Sequence, residues 1–257
     1  MNSYTAIPCE IIADHVHKIL VIENYHLINS FALPLFANGS PTLLFLSTKA
    51  TIDEKATNHL TLFGQTVFPE TLKVTDKFTM IAYFFKPFSL NSLFSISALE
   101  ITDKPVDLTL LSLPDTTELQ EKLLNATTTT KMISILDNYI AKLIKRTTKD
   151  TKVIQYATDK LAVNTSKESL VKVQKELHIT ERTFQRLFEK SVGVAPNLYR
   201  RICQFNAAFE QLNKRNFNKL SDIAFQHGYA DQSHYIRAFK EFTNITPKDY
   251  MKFASQD

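Results

Sequence analysis

The chain has 257 residues, 44% hydrophobic and 22% charged, the profile of an ordinary soluble globular protein with room for two domains. No apolar run approaches the roughly 20 residues of a membrane span, and two distant cysteines, Cys9 and Cys203, exclude a disulfide or zinc framework and point to a reducing compartment. The net charge of +4 is uneven: residues 151–257 hold 17 Lys and Arg against 11 Asp and Glu, residues 1–150 hold 13 against 15, and a basic third of this kind fits a polyanion-binding module.

Met1 to Glu10 has no basic stretch followed by an apolar core, so no export signal is read there and the cytoplasm is the expected location. Residues 1 to about 110 read as β-rich. Short runs at 17–22, 42–46, 60–63 and 78–85 are rich in β-branched and aromatic residues, and turn signals bound them at 38–41, Gly64, Pro69 and Pro87. Several short strands with turns between them predict a sandwich or a small barrel.

Near residue 114 the pattern changes to helical. Thr117 and Gln120 have capping-box spacing, and Met132, Ile133, Leu136, Ile140, Leu143 and Ile144 form a stripe that suits a dimer face or a strut onto the β-rich domain. The best linker is 147–151. This gives three parts: a β-rich sensor or dimerisation domain at 1–113, connecting helices at 114–150, and an all-helical domain at 151–257. In the last, Val153, Tyr156, Ala157 and Leu161 are expected on an inner face. Thr165 with Glu168 makes a second capping box, and Leu170, Val173 and Leu177 point inward behind it. Thr180 caps a helix with Phe184, Leu187 and Phe188 inward, and Pro196 opens a helix running to about Asn213. Leu220, Ile223, Ala224 and Phe225 form a short helix ended at Gly228, and Asp231 caps another with Tyr235, Ala238, Phe239 and Phe242 inward.

This helical part repeats itself at 51 residues. Phe184-Gln185-Arg186-Leu187-Phe188, Gly193, Pro196 and Tyr199 return as Tyr235-Ile236-Arg237-Ala238-Phe239, Asn244, Pro247 and Tyr250. That period suits one helical supersecondary unit, and two copies make a paired module. In the second copy Ala224 is the small residue of the leading helix, Gly228 supplies a left-handed turn, and the next helix turns Gln232, Ser233, Ile236 and Arg237 outward. In the first copy Val173 takes the place of Ala224, and Glu181, Arg182, Gln185 and Arg186 face out. Arg and Gln suit bidentate contacts to guanine and adenine edges. The helix between the copies would span roughly 27 Å, comparable with the ~34 Å between successive major grooves on one face of a duplex.

The stretch Ile223-Ala224-Phe225-Gln226-His227-Gly228-Tyr229-Ala230-Asp231-Gln232-Ser233-His234-Tyr235-Ile236-Arg237-Ala238-Phe239-Lys240, continued by Thr246-Pro247-Lys248-Asp249-Tyr250, closely resembles the AraC/XylS family of transcription regulators. It follows the family pattern I-A-x-x-x-G-(F/Y)-x-D-x-S-(H/Y)-F-x-R-x-F-K and then G-x-T-P-x-x-(Y/F), and the resemblance covers about 152–252. It implies two helix-turn-helix motifs joined by a long helix, with recognition helices at 180–190 and 231–242. Arg182, Gln185 and Arg186 would face bases in the first motif and Gln232, Ser233 and Arg237 in the second. Thr180, Lys190, Lys240 and Lys248 would meet phosphates, which position without specifying sequence. Double-stranded DNA is the implied partner, with RNA polymerase, a small-molecule effector and a homodimer as further partners the family allows. There are departures. Asn244 stands for the usual Gly, Gln204 for a common Arg after Cys203, and His178 for a turn-friendly residue.

The front domain resembles the cupin-like barrel that serves as sensor in many such regulators, so the expected fold is α+β in two domains. Effector contacts are assigned to Lys86, Tyr83 and Phe85, since a cation at the end of a buried strand can pair an acidic ligand. The other readings are a strand-edge Lys and a packed core. His15 and His17 share a strand face but lack the further ligands a metal needs, so neither metal nor cofactor is expected. An enzymatic or small-molecule-binding front domain with a helical protein-interaction module is the alternative function. No nucleophile elbow, phosphate loop or zinc-helix motif supports catalysis.

Overall fold

The computed structural model describes residues 1–26 and 30–253. The first half holds strands β1 (Asn2–Ala6), β2 (Val16–Asn24), β3 (Phe31–Leu35), β4 (Thr42–Leu46), β5 (Ala50–Ile52), β6 (Lys55–Thr57), β7 (Leu60–Phe63), β8 (Glu70–Val74), β9 (Phe78–Phe85) and β10 (Val106–Asp107), with helix α1 (Ser89–Phe94) before the last. Then come α2 (Thr116–Leu124) and α3 (Thr129–Arg146). One sheet runs β1-β2-β9-β4-β7-β10 and the other β3-β8-β5-β6, all neighbours antiparallel. Among the described residues no ladder joins the two sheets. The domain is therefore a double-sheet sandwich with helices, one of the two expected forms, and among the described residues the cupin-like barrel is not closed.

Strand parity divides the core in two. Ile22, Leu44, Phe63, Met80 and Ala82 face the second sheet and meet Ile52, Leu72 and Val74. Ile19, Val21, Leu43, Phe45, Ile81, Tyr83 and Phe85 face the other way, under Leu93, Phe94, Leu119, Leu136, Ile140 and Leu143 of the three helices. Burial on both faces is why β9 reads as an apolar run with no alternation, interrupted only by Thr79. The α3 stripe is thus a strut laid on its own sheet. Tyr83 fastens it, donating its hydroxyl proton to Asp137 Oδ1 at 2.7 Å. The expected cap of α2 is corrected: Asp115 precedes it in a left-handed conformation (φ 60°), with no side-chain cap bond. Among the described residues no helix is long and apolar enough to cross a membrane.

The sandwich is not separate from the helices that follow. Phe88 joins the core containing Phe184, Phe188 and Val192, and Ala37 joins the core containing Ile202, Phe205 and Phe239. Gly193 touches the loop at 98–102 by its backbone: Thr102 Oγ1 donates to its carbonyl at 2.8 Å. A Cβ there would stand 2.6 Å from that oxygen and 2.9 Å from the Ala98 carbonyl, at φ +99°. Gly193→Ala adds this clash to a left-handed penalty of about 1–2 kcal/mol. It should lower unfolding free energy by more than about 2 kcal/mol in a urea titration, and a change below half of that would mean the contact is loose.

Candidate nucleic-acid interface

Among the described residues the second half holds seven helices: α4 (Lys152–Val163), α5 (Lys167–Glu176), α6 (Glu181–Val192), α7 (Pro196–Asn213), α8 (Leu220–Gln226), α9 (Gln232–Thr243) and α10 (Pro247–Phe253). The sequence repeat has a backbone counterpart. The Thr180 hydroxyl accepts from the Thr183 N–H at 3.3 Å, and Asp231 Oδ1 accepts from the His234 N–H at 2.7 Å, so each outer helix is capped by its own side chain. Gly193 (φ +99°) ends α6 and Asn244 (φ 63°) ends α9, both left-handed and 51 residues apart. A proline then opens the next helix in each copy, where its missing N–H costs nothing.

The turns before these helices differ. Residues 177–180 connect α5 to α6, and residues 227–231 connect α8 to α9, one residue more. Leu177 N–H donates to the Val173 carbonyl as His227 N–H does to Ile223. Val173 is thus the counterpart of Ile223, a correction to its expected match with Ala224. In the shorter turn His178 takes the left-handed conformation (φ 52°), where the longer one uses Gly228 (φ 72°). Imidazole residues enter this region more readily than most, but still with strain. His178→Gly should therefore stabilise the chain by about 0.5–1 kcal/mol, relief of a left-handed side chain less glycine's entropy. A lowered melting temperature would show that the His178 side chain makes a contact worth more than the strain.

The cores fix which faces remain outside. Phe184, Phe188 and Val192 of α6 are buried, as are Tyr235, Ala238, Phe239 and Phe242 of α9. Leu187, expected inward, lies at the edge of exposure because the inner ridge of α6 runs 184–188–192. Phe225 is 65% exposed, since Ile223 and Ala224 already fill the inner side of the short α8. In α4 the buried residues are Ile154, Ala157, Thr158 and Leu161, while Val153 is exposed and Tyr156 half-buried, one position off the expected face. The second expected box also shifts: Ser166, not Thr165, is the N-cap of α5.

Arg182, Gln185 and Arg186 are all exposed on α6, and Gln232, Ser233 and Arg237 on α9; Thr180, Lys190, Lys240 and Lys248 are exposed beside them. Among the described residues Arg182, Arg186 and Arg237 have no ion-pair partner, and Gln185 Nε2 donates to Glu189 Oε1 at 3.1 Å. The two faces therefore present guanidinium groups without an ion-pair partner, and side-chain amides, from short, capped helices. The linker α7 serves both motifs. Its Tyr199 lies in the first core, and Ile202, Phe205, Ala208 and Leu212 lie in the second.

The front-domain candidates do not come together. Tyr83 and Phe85 are buried under the helices, and Phe85 packs edge-on against Phe94 at 5.4 Å. Lys86 is half-buried, its backbone N–H donating to the His15 carbonyl at 2.7 Å. Phe84, of opposite parity, lines instead a cavity of about 170 Å³ between the sheets, with Leu33, Phe36, Thr42, Phe63 and Met80. Sequence pattern missed Phe36, because it lies outside any strand. His15 Nδ1 lies 3.1 Å from Ser89 Oγ, and burial lowers the pKa of His15 and His17. Among the described residues no group of three His, Cys, Asp or Glu is placed to hold a metal. Burial pushes the Cys203 thiol up to about 11, which keeps it protonated and a poor nucleophile at neutral pH.

Residues 173–252 match a family described as a helix-turn-helix domain, and residues 4–107 match a domain of unknown function, DUF6597. No curated protein sequence matches the chain. Among solved structures, ToxT from Vibrio cholerae is similar in fold at 14% identity and a TM-score of 0.51, over 98% of each chain. A second ToxT structure, from Vibrio cholerae O395, gives the same identity and TM-score over 90% of this chain and 96% of that one. CuxR, described as an AraC-like transcriptional activator, is 14% identical over 81% of this chain and 87% of its own, with a TM-score of 0.29 that supports no structural argument. With the helix-turn-helix match lying on α5 to α10, and both motifs present with their outward Arg and Gln, the C-terminal half is a helix-turn-helix domain whose paired motifs follow the AraC/XylS pattern.

Proposed function

We propose that α6 and α9 each enter a major groove and that the protein reads a bipartite site with one protomer's two helices. The observation that carries this is the joint one: two exposed Arg/Gln faces, each on a capped helix, held by a single strut of about 27 Å. Arg182, Gln185 and Arg186 read the first element, and Gln232, Ser233 and Arg237 the second, by bidentate bonds to base edges. Thr180, Lys190, Lys240 and Lys248 hold phosphates. In this division residues 151–257 bind DNA, 114–150 connect, and 1–113 receive a signal, with RNA polymerase as the partner that registers the bound protein.

Selection from random duplex DNA should enrich two elements about one helical turn apart. Arg182→Ala and Arg237→Ala should each cost about 1–3 kcal/mol on the selected site and relax preference at one element. Lys190→Ala should weaken all sequences alike and reduce the salt slope by about 1. Unchanged specific affinity in both arginine variants would remove the assignment.

The cavity between the sheets supports an effector role for the front domain. Its size is close to that of a dry protein cavity of about 150 Å³ that takes benzene, so the ligand is a small apolar molecule or the end of an apolar chain. Phe36 lines this cavity and also meets Phe209 and Tyr250 of the DNA-binding domain, at ring distances of 5.8 and 6.4 Å. Benzene should raise the melting temperature of the wild-type chain but not of Ala82→Leu, which fills the space. Equal shifts in both would place binding elsewhere.

A further inference from the structure

Arg200 and Gln204 lie one turn apart on α7 and are 5% and 8% exposed. Arg200 Nη1 donates to the carbonyl of Thr165, at the entry to α5, at 2.5 Å, and to Gln204 Oε1 at 3.3 Å. Its Nε donates to Asn197 Oδ1 at 3.1 Å. Gln204 Nε2 donates in turn to the carbonyl of His227, which closes α8, at 2.8 Å. One hydrogen-bonded line therefore runs from the entry of the first motif, across the shared helix, to the turn of the second. The turn closes directly on it: a Cβ at Gly228 would stand 3.8 Å from Gln204 Nε2.

The acceptors of this buried guanidinium are all neutral. A buried charge held so is a weak source of stability, since an apolar replacement is often as good. What it supplies is direction. The two cores grip α7 through apolar contacts, which are not directional. They fix distance from the strut but leave rotation about it soft. A planar guanidinium with three fixed bonds and an amide with two restrict that rotation.

We infer that Arg200 and Gln204 are positioning residues that set the angle between α6 and α9, and with it the number of base pairs the protein accepts between its two DNA elements. The inference rests on the two-helix reading above. Each base pair added between the elements moves them apart by about 3.4 Å and turns them by roughly 35°, so a stiff pair of motifs discriminates sharply and a soft pair does not.

The test uses the full chain and the duplex it selects from random DNA, remade with one or two base pairs inserted or deleted between the elements. Wild type should lose at least tenfold in affinity per base pair of misspacing. Gln204→Leu, which keeps the volume and removes both bonds, should bind the best duplex about fivefold more weakly and flatten the spacing profile to within about threefold. Its base preferences inside each element should be unchanged. Arg200→Met should do the same, and Arg200→Lys should fall between. A residue that only stabilised the fold would lower the melting temperature and leave the profile steep. A steep profile in Gln204→Leu, or in Arg200→Lys should the leucine variant not fold, overturns the inference alone. A wild-type chain that enriches no bipartite site overturns the two-helix reading and this inference with it.

Discussion

Both helix-turn-helix cores close on the same helix, and the rest of the DNA-binding half depends on that sharing. Tyr199 at one end of α7 belongs to the first core, and Ile202 to Leu212 belong to the second. Neither motif can bury its apolar face without the strut, because three short helices leave too little core of their own. The strut in turn is buried along its length and begins at a proline where a first-turn ring is tolerated. Positions of α6 and α9 then follow from packing, and their outward residues follow from helical period.

The same cores extend into the front domain. Phe88 joins the core of Phe188, and Ala37 that of Phe205, so each motif is touched by a different loop of the sandwich. Gly193 brings the backbone of the first motif against Thr102, and Phe36 reaches the aromatic cluster of the second. The front domain is therefore a second brace across the two motifs, besides α7. A change in the inter-sheet cavity has a short route to the second motif through Phe36, a side chain that belongs to both.

Much of this was legible in the chain. The strands at β2, β4, β7 and β9 follow from apolar, β-branched runs, and the capped helices from Thr180, Asp231, Pro196 and Gly228, since these residue types act on the backbone within a few positions. The edge strands β1, β3 and β6, and β8 beside β3, were not legible, because half-exposed strands carry little apolar signal. Errors of facing were local as well. Tyr83 and Phe85 are expected at an effector site, yet strand parity sends them under the helices and leaves Phe84 on the cavity side. Periodicity says which residues share a face, and not which of two buried faces holds the open space.

By itself, then, the sequence determined the paired motif, its caps, its left-handed turns and the residues it turns outward, all of which rest on short-range backbone chemistry and helical period. Only the tertiary structure decided that the β-domain is an open sandwich, that the α3 stripe belongs to its own sheet, and that Arg200 and Gln204 join the two motifs. Each of these is a contact between segments far apart in the chain. Such contacts depend on which surfaces meet when the elements pack, and a single sequence carries no local mark of that.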